Sequence, residues 1–112
     1  MTPLTRDTVL FALSHHVGEA AGISARALVV EICNDTWPAA ERELRKIIDA
    51  LRHEGTHICG LPSTGYYMAA DEAELLRTCD FLLKRATNGL EQIAAMRKVS
   101  LPDLRGQLRL PT

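Results

Sequence analysis

The chain has 112 residues, the length of one domain, with 46% apolar and 24% charged residues and a mean hydropathy of −0.03. This composition excludes a disordered chain, and no apolar run approaches the roughly 18–20 residues a membrane span requires. The formal net charge of −1 and pI of about 6.4 exclude a uniformly basic nucleic-acid binder, so any such binding must come from local placement of charge. Met1–Arg6 lacks the basic-then-apolar layout of a signal peptide, so a cytoplasmic location is expected. Cys33, Cys59 and Cys79 are odd in number and form no CxxC pair, and are expected to be reduced, mostly buried thiols.

The first helix is predicted from Thr5 as N-cap, with Asp7 in the first turn, where a carboxylate suits the positive helix end. Val9, Leu10, Leu13 and Val17 fall on one face, and Gly18 stops the run. Glu19–Gly22 reads as a loop. Ser24 caps a second helix over about Ala25–Cys33 with Leu28, Val29 and Ile32 inward, and Asn34-Asp35-Thr36 is a turn cluster. Pro38 suits the first turn of a third helix, which runs to about Glu54 and ends at Gly55.

After Gly55 the period changes. Thr56–Gly60 and Gly65–Ala69 form a predicted hairpin joined by Leu61-Pro62-Ser63-Thr64. Asp71 caps the last and longest helix, whose stripe of Leu75, Leu76, Cys79, Leu82, Leu83, Ala86, Leu90, Ile93 and Met96 is broad enough to cover the rest of the domain. Asn88-Gly89 interrupts its propensity but not its phase, so one helix is expected, ending before Pro102. The expected class is mainly α with a small β-hairpin (α+β). Its element order is that of a winged helix-turn-helix over 1–70, followed by a long helix packed on it over 71–100 and a flexible tail over 101–112.

The third helix carries the most information. At about 100° per residue, Ala40, Leu44, Ile47, Ile48 and Leu51 share a core face. Arg42, Arg45, Lys46, Asp49 and His53 share the opposite one. The outward face is therefore locally cationic. Arg can grip guanine edges bidentately in the major groove, and Arg or Lys can contact phosphate. Against this, residues 1–70 hold six Lys/Arg and eight Asp/Glu, so long-range attraction to DNA is weak and modest salt dependence is expected.

The hairpin tip offers hydroxyls rather than cations. Ser63 and Thr64 are candidate DNA contacts, together with Tyr67, which alternation places on the outward face while Tyr66 and Met68 pack on the third helix. His53, His57 and Cys59 lie close in sequence, but their spacing fits no standard zinc pattern, and no metal or cofactor is expected. His16, at the edge of the first helix's stripe, reads as a half-buried structural residue. The chain has no GxSxG and no glycine-rich phosphate loop, and nothing in it requires an enzyme.

The last helix suggests a partner. A second stripe carries Phe81, Asn88, Gln92, Ala95 and Val99, and Leu76, Leu83 and Leu90 recur every seven residues until Arg97. Both permit a homodimer through this helix.

From Ile23 to Met68 the sequence resembles the winged-helix domains at the N-termini of the biotin-operon repressor type, and is similar to short phage- and prophage-encoded winged-helix proteins. The residues that carry the resemblance are Ile23-Ser24-Ala25-Arg26-Ala27-Leu28, Leu44-Arg45-Lys46-Ile47-Ile48-Asp49-Ala50-Leu51-Arg52, Glu54-Gly55, Ile58-Cys59 and Gly65-Tyr66-Tyr67-Met68. The phage-associated relatives also continue into a long arginine-bearing helix, so the likeness spans about residues 5–98. It implies binding of double-stranded DNA through the third helix by a bacterial or prophage transcriptional regulator. The chain departs from the pattern in the lengthened turn Asn34–Ala40, where Trp37 is expected to plug into the core, the alternative being an exposed contact residue. The alternative is a winged helix given over to protein–protein interaction without DNA binding.

Overall fold

The structure, a computed structural model, describes residues 2–97. Val99 and the tail 101–112 lie outside the described residues. Four α-helices and one antiparallel hairpin follow in the order α1 (Arg6–Leu13), α2 (Ala25–Cys33), α3 (Ala40–His53), β1 (Ile58–Leu61), β2 (Gly65–Met68) and α4 (Glu72–Arg97). A 3-10 turn, Glu19–Ala21, lies between α1 and α2. No helix among the described residues is long and apolar enough to cross a membrane.

Helix starts follow the sequence signals closely. Thr5 accepts from the Thr8 backbone, and the Thr8 hydroxyl accepts from the Thr5 N–H at 2.9 Å, closing a reciprocal cap. Ser24 accepts from Ala27 N, and Asp71 from Glu74 N at 2.9 Å. Asn34 ends α2 in the left-handed region at φ 56°, a conformation asparagine tolerates well.

The first helix stops a turn earlier than predicted. Val17 is 55% exposed, not part of its buried face. The chain leaves the helix to pair with the hairpin: Met68 N donates to His16 O at 2.7 Å and Gly18 N to Met68 O at 2.9 Å. Backbone hydrogen bonds there outweigh a further turn of helix.

The same segment extends the sheet. Ile23 and Tyr66 exchange two hydrogen bonds, at 2.9 and 2.7 Å, and form an isolated antiparallel bridge. This approach needs Gly22 and Gly65, because a Cβ on Gly22 would run into Thr64 O and one on Gly65 into Ile23 O. Within the hairpin the register is Ile58↔Met68, Cys59↔Tyr67, Gly60↔Tyr66 and Leu61↔Gly65.

Val9 and Leu13 of α1, Leu28 and Val29 of α2, and Leu44, Ile48 and Leu51 of α3 meet in one buried cluster, with Ile58 of β1. Trp37 packs partly buried against it, as expected of a plug for the lengthened turn.

Two compact units are distinguished, Met1–Thr78 and Cys79–Thr112. The first runs past the expected boundary at residue 70 because the start of α4 is sewn to it. Glu74 accepts from Glu19 N at 3.0 Å and from Ala70 N at 2.8 Å, and the Thr78 hydroxyl accepts from Gly60 N at 3.2 Å. Arg77 reaches Glu19 at 3.0 Å. Along α4 much of the apolar stripe is open: Leu76 is 53% exposed, Leu83 62% and Met96 77%. Phe81 is half-buried, with the Arg85 guanidinium 5.7 Å from its ring centre.

Candidate nucleic-acid interface

α3 is built to present one face. Ala40, Leu44, Ile48 and Leu51 are buried, while Arg42, Arg45, Lys46, Asp49 and His53 are exposed. Its N-cap, Ala39, has no side-chain acceptor, so Glu41 and Glu43 in the first turn do the electrostatic work there, and Arg52 and His53 suit the last. The helix is therefore acidic at its start for its own stability and basic along its outer face.

The basic residues differ in how committed they are. Arg45 is held by Glu41 at 3.6 Å across one turn, a contact between two side chains more than two-fifths exposed. Arg42 and Lys46 make no side-chain hydrogen bond or ion pair among the described residues. Arg52 is spent on structure: its Nε donates to Ile58 O at 2.8 Å, and its guanidinium lies 6.0 Å from the Tyr66 ring centre. At the helix end Arg6 takes up Glu54 at 2.7 Å. This hydrogen bond, reinforced by the charge, lowers the Glu54 carboxyl pKa and raises that of Arg6.

One further cation went unremarked in the sequence as a site residue. Arg26 is exposed in the first turn of α2 and has no side-chain partner among the described residues. A cation there opposes the helix dipole, and that uncompensated placement is the signal that could have marked it.

The hairpin loop divides the predicted wing contacts. Ser63 is exposed. Thr64 is half-buried, and its hydroxyl donates to Gly65 O at 3.0 Å, within its own turn. Tyr67 is overturned as a contact: it is 0% exposed. Alternation put it on the outer face of the hairpin, but that face is covered by Glu74 and Thr78 of α4 and by the turn at Glu19. Burial, with Cys59, Glu19 and Glu74 nearby, pushes its phenol pKa up, while the neighbouring Thr78 hydroxyl acts the other way. Among the described residues no hydrogen bond of ordinary geometry reaches Tyr67 Oη. No hydrogen bond or ion pair among the described residues joins the α3 cations to Ser63 or Thr64.

Cys33 and Cys59 are buried, as expected of most of the thiols, whereas Cys79, which the sequence places in the α4 stripe, is exposed. No group of three or more His, Cys, Asp and Glu side chains among the described residues is arranged to hold a metal ion. His16 is half-buried, its side chain 17% exposed, between Ala21 and Glu31. A shallow groove of about 410 Å³ lies between α1 and α2, lined by Phe11, Ala12, His15 and Ile32 with Asp7, Thr8 and Glu31. Phe11, 70% exposed, meets His15 edge-on at 5.0 Å.

No family model, no curated protein and no solved structure matches the chain.

Proposed function

We propose that this chain is a winged helix-turn-helix protein that binds double-stranded DNA, with α3 as the helix that enters the major groove, and that it serves as a transcriptional regulator. The observation that carries this reading is the uncommitted cationic face of α3: among the described residues Arg42 and Lys46 make no side-chain pair, and Arg45 is held only by Glu41, whose side chain is 43% exposed. A solvated helix face that served stability alone would set its bases against its acids, as Arg6 and Glu54 do. The element order supports it as well, with Ile23 joined to Tyr66 by an isolated bridge between α1 and α2.

In this reading Arg42, Arg45 and Lys46 contact base edges and phosphate, and Arg26 at the start of α2 contacts the backbone alongside. Ser63 and the backbone of the hairpin loop supply a polar, uncharged wing, with Thr64 limited to a partly covered hydroxyl. Three phosphate contacts from α3 and one from Arg26 correspond to a slope of about −3.6 in log K against log salt, or about 150-fold weaker binding between 50 and 200 mM salt.

A second reading, a protein-interaction module of the same fold, is favoured by one observation, the exposed Phe11 beside the α1–α2 groove. Fluorescence anisotropy of a labelled mixed-sequence duplex at low salt separates the two. Binding that weakens with salt along the slope above and disappears in Arg42→Ala/Arg45→Ala/Lys46→Ala supports the DNA reading. Absence of binding at the lowest salt rejects it.

A further inference from the structure

We propose that α4 is a self-association helix, pairing antiparallel with α4 of a second copy of this chain about a two-fold axis at the helix midpoint. The face concerned repeats every seven residues. Leu76, Leu83 and Leu90 occupy one position, and Cys79, Ala86 and Ile93 the position three residues later. This alternating spacing is that of a helix-on-helix seam. Leu76 and Leu83 are 53% and 62% exposed, Cys79 and Ala86 are exposed, and Leu90 and Ile93 are half-buried. Continued one step each way, the repeat lands on Glu72 and Arg97, the first and last residues of α4, both exposed.

Charge and size decide the occupant and its direction. In a parallel pair each seam residue meets its own copy. Glu72 would face Glu72 and Arg97 would face Arg97, and Cys79 and Ala86 would each leave a thin layer between leucines. In an antiparallel pair, each residue meets the one equally far from the midpoint between Lys84 and Arg85. Glu72 then faces the partner's Arg97, Leu76 the partner's Ile93, Cys79 the partner's Leu90 and Leu83 the partner's Ala86. Both ends close on opposite charges, and small residues sit against large ones.

Gly89 fits the same arrangement. A glycine inside a helix is unfavourable, and nothing lies within 4 Å of where its Cβ would be. Leu82 and Gly89 each directly precede a seam leucine and so share one flank of the seam; in the antiparallel pair that flank faces its own copy, which brings Gly89 beside the partner's Leu82, 38% exposed. The contact is isologous, as a closed dimer requires. At 26 residues α4 is about 39 Å long, and one helix pair of that length sits near the roughly 1,200 Å² lower end of specific interfaces. None of this depends on what α3 binds.

The test is sedimentation of the full chain across concentrations, with circular dichroism to verify folding of each variant. Expected are a monomer–dimer equilibrium and at least about tenfold weaker association in Leu83→Ala and in Ala86→Leu, with recovery in the double variant, where the large and small partners are exchanged. Under diamide, Leu90→Cys cross-links to the partner's Cys79 while the unaltered chain does not. A chain that stays monomeric at about 1 mM overturns the proposal. So does a double variant that fails to recover, and so does tighter association of Ala86→Leu together with cross-linking of the unaltered chain, the signature of parallel pairing.

Discussion

Replacing Glu31 by Gln is expected to change the pH dependence of folding through His16. The His16 ring holds the end of α1 against two other elements: Nδ1 lies 2.8 Å from Ala21 O and Nε2 3.0 Å from Glu31 Oε1. Both partners are acceptors, and only the imidazolium, with two N–H groups, donates to both. Burial by itself lowers the pKa of the ring, but the Glu31 hydrogen bond, the Ala21 carbonyl and the Glu31 charge together outweigh it and the pKa is raised. A raised folded-state value means that the contribution to stability is fully present below the unfolded value of about 6.5 and is lost as pH rises through the folded one. A charge-assisted hydrogen bond contributes about 1.5–3 kcal/mol when shielded. The Glu31 side chain is 43% exposed, which brings the figure down to about 1 kcal/mol. In a domain of this size that corresponds to about 4–8 °C in Tm. Thermal melts near pH 5.5 and near pH 8.5, on either side of the ordinary histidine range, are the assay. In Glu31→Gln the side-chain amide can donate to an unprotonated Nε2 while Nδ1–H donates to Ala21 O, so the neutral ring is satisfied. The unaltered chain is expected to hold its advantage over the variant at the lower pH and lose it at the higher. His15, His53 and His57 are common to both proteins and cancel in the difference. Equal pH dependence in the two, or an advantage that grows with pH, would refute the reasoning.

Tyr67→Phe removes a buried hydroxyl that no hydrogen bond of ordinary geometry reaches among the described residues, with the Thr78 hydroxyl beside it, and is expected to change stability by at most about 1 kcal/mol in urea unfolding, with DNA affinity unaltered. Gly65→Ala places a Cβ against Ile23 O at a backbone φ of +75°, and is expected to cost about 3 kcal/mol or more by the same measurement. Glu41→Gln frees Arg45 and is expected to tighten DNA binding and steepen its salt slope by at most about one; a flatter slope would remove Arg45 from the contacts. Leu44→Ala empties a fully buried site between the helices and is expected to cost about 2–5 kcal/mol, without the selective loss of DNA binding expected of Arg42→Ala.

The helices and the hairpin were legible because their signals are local. Caps at Thr5, Ser24 and Asp71 and the core face of α3 rest on spacing within a few residues. Two misreadings have one cause, a partner distant in sequence. Val17 has the right phase for α1, but the backbone around it pairs with Met68, some fifty residues on. Tyr67 has the phase of an outward strand residue, yet the start of α4 covers that face of the hairpin. Alternation tells which residues share a face of a two-stranded hairpin; it does not tell whether a later helix lies over the second face. The exposure of Cys79 follows the same logic, since a broad apolar stripe does not say which of its edges is packed.

The charge distribution gives the strongest physical argument about α3. Residues 1–70 are acid-rich, and a domain with surplus carboxylates has partners to spare for every base. Arg6 has Glu54 and Asp7, Arg77 has Glu19, and Arg45 has Glu41. Among the described residues Arg42, Lys46 and Arg26 have no such partner, although Glu43 lies beside Arg42 in sequence and is itself exposed. Neighbouring residues on a helix point about 100° apart, so Glu43 points away from Arg42, but Glu43 and Asp49 each stand three residues from Lys46, a spacing at which helix charges can pair. Among the described residues Glu43 closes no ion pair with Lys46. The acid sits instead in the first turn, where it offsets the missing N-cap acceptor at Ala39 and leaves the outer face positive. One placement thus stabilises the helix at its start and keeps its exposed bases available to an anionic partner.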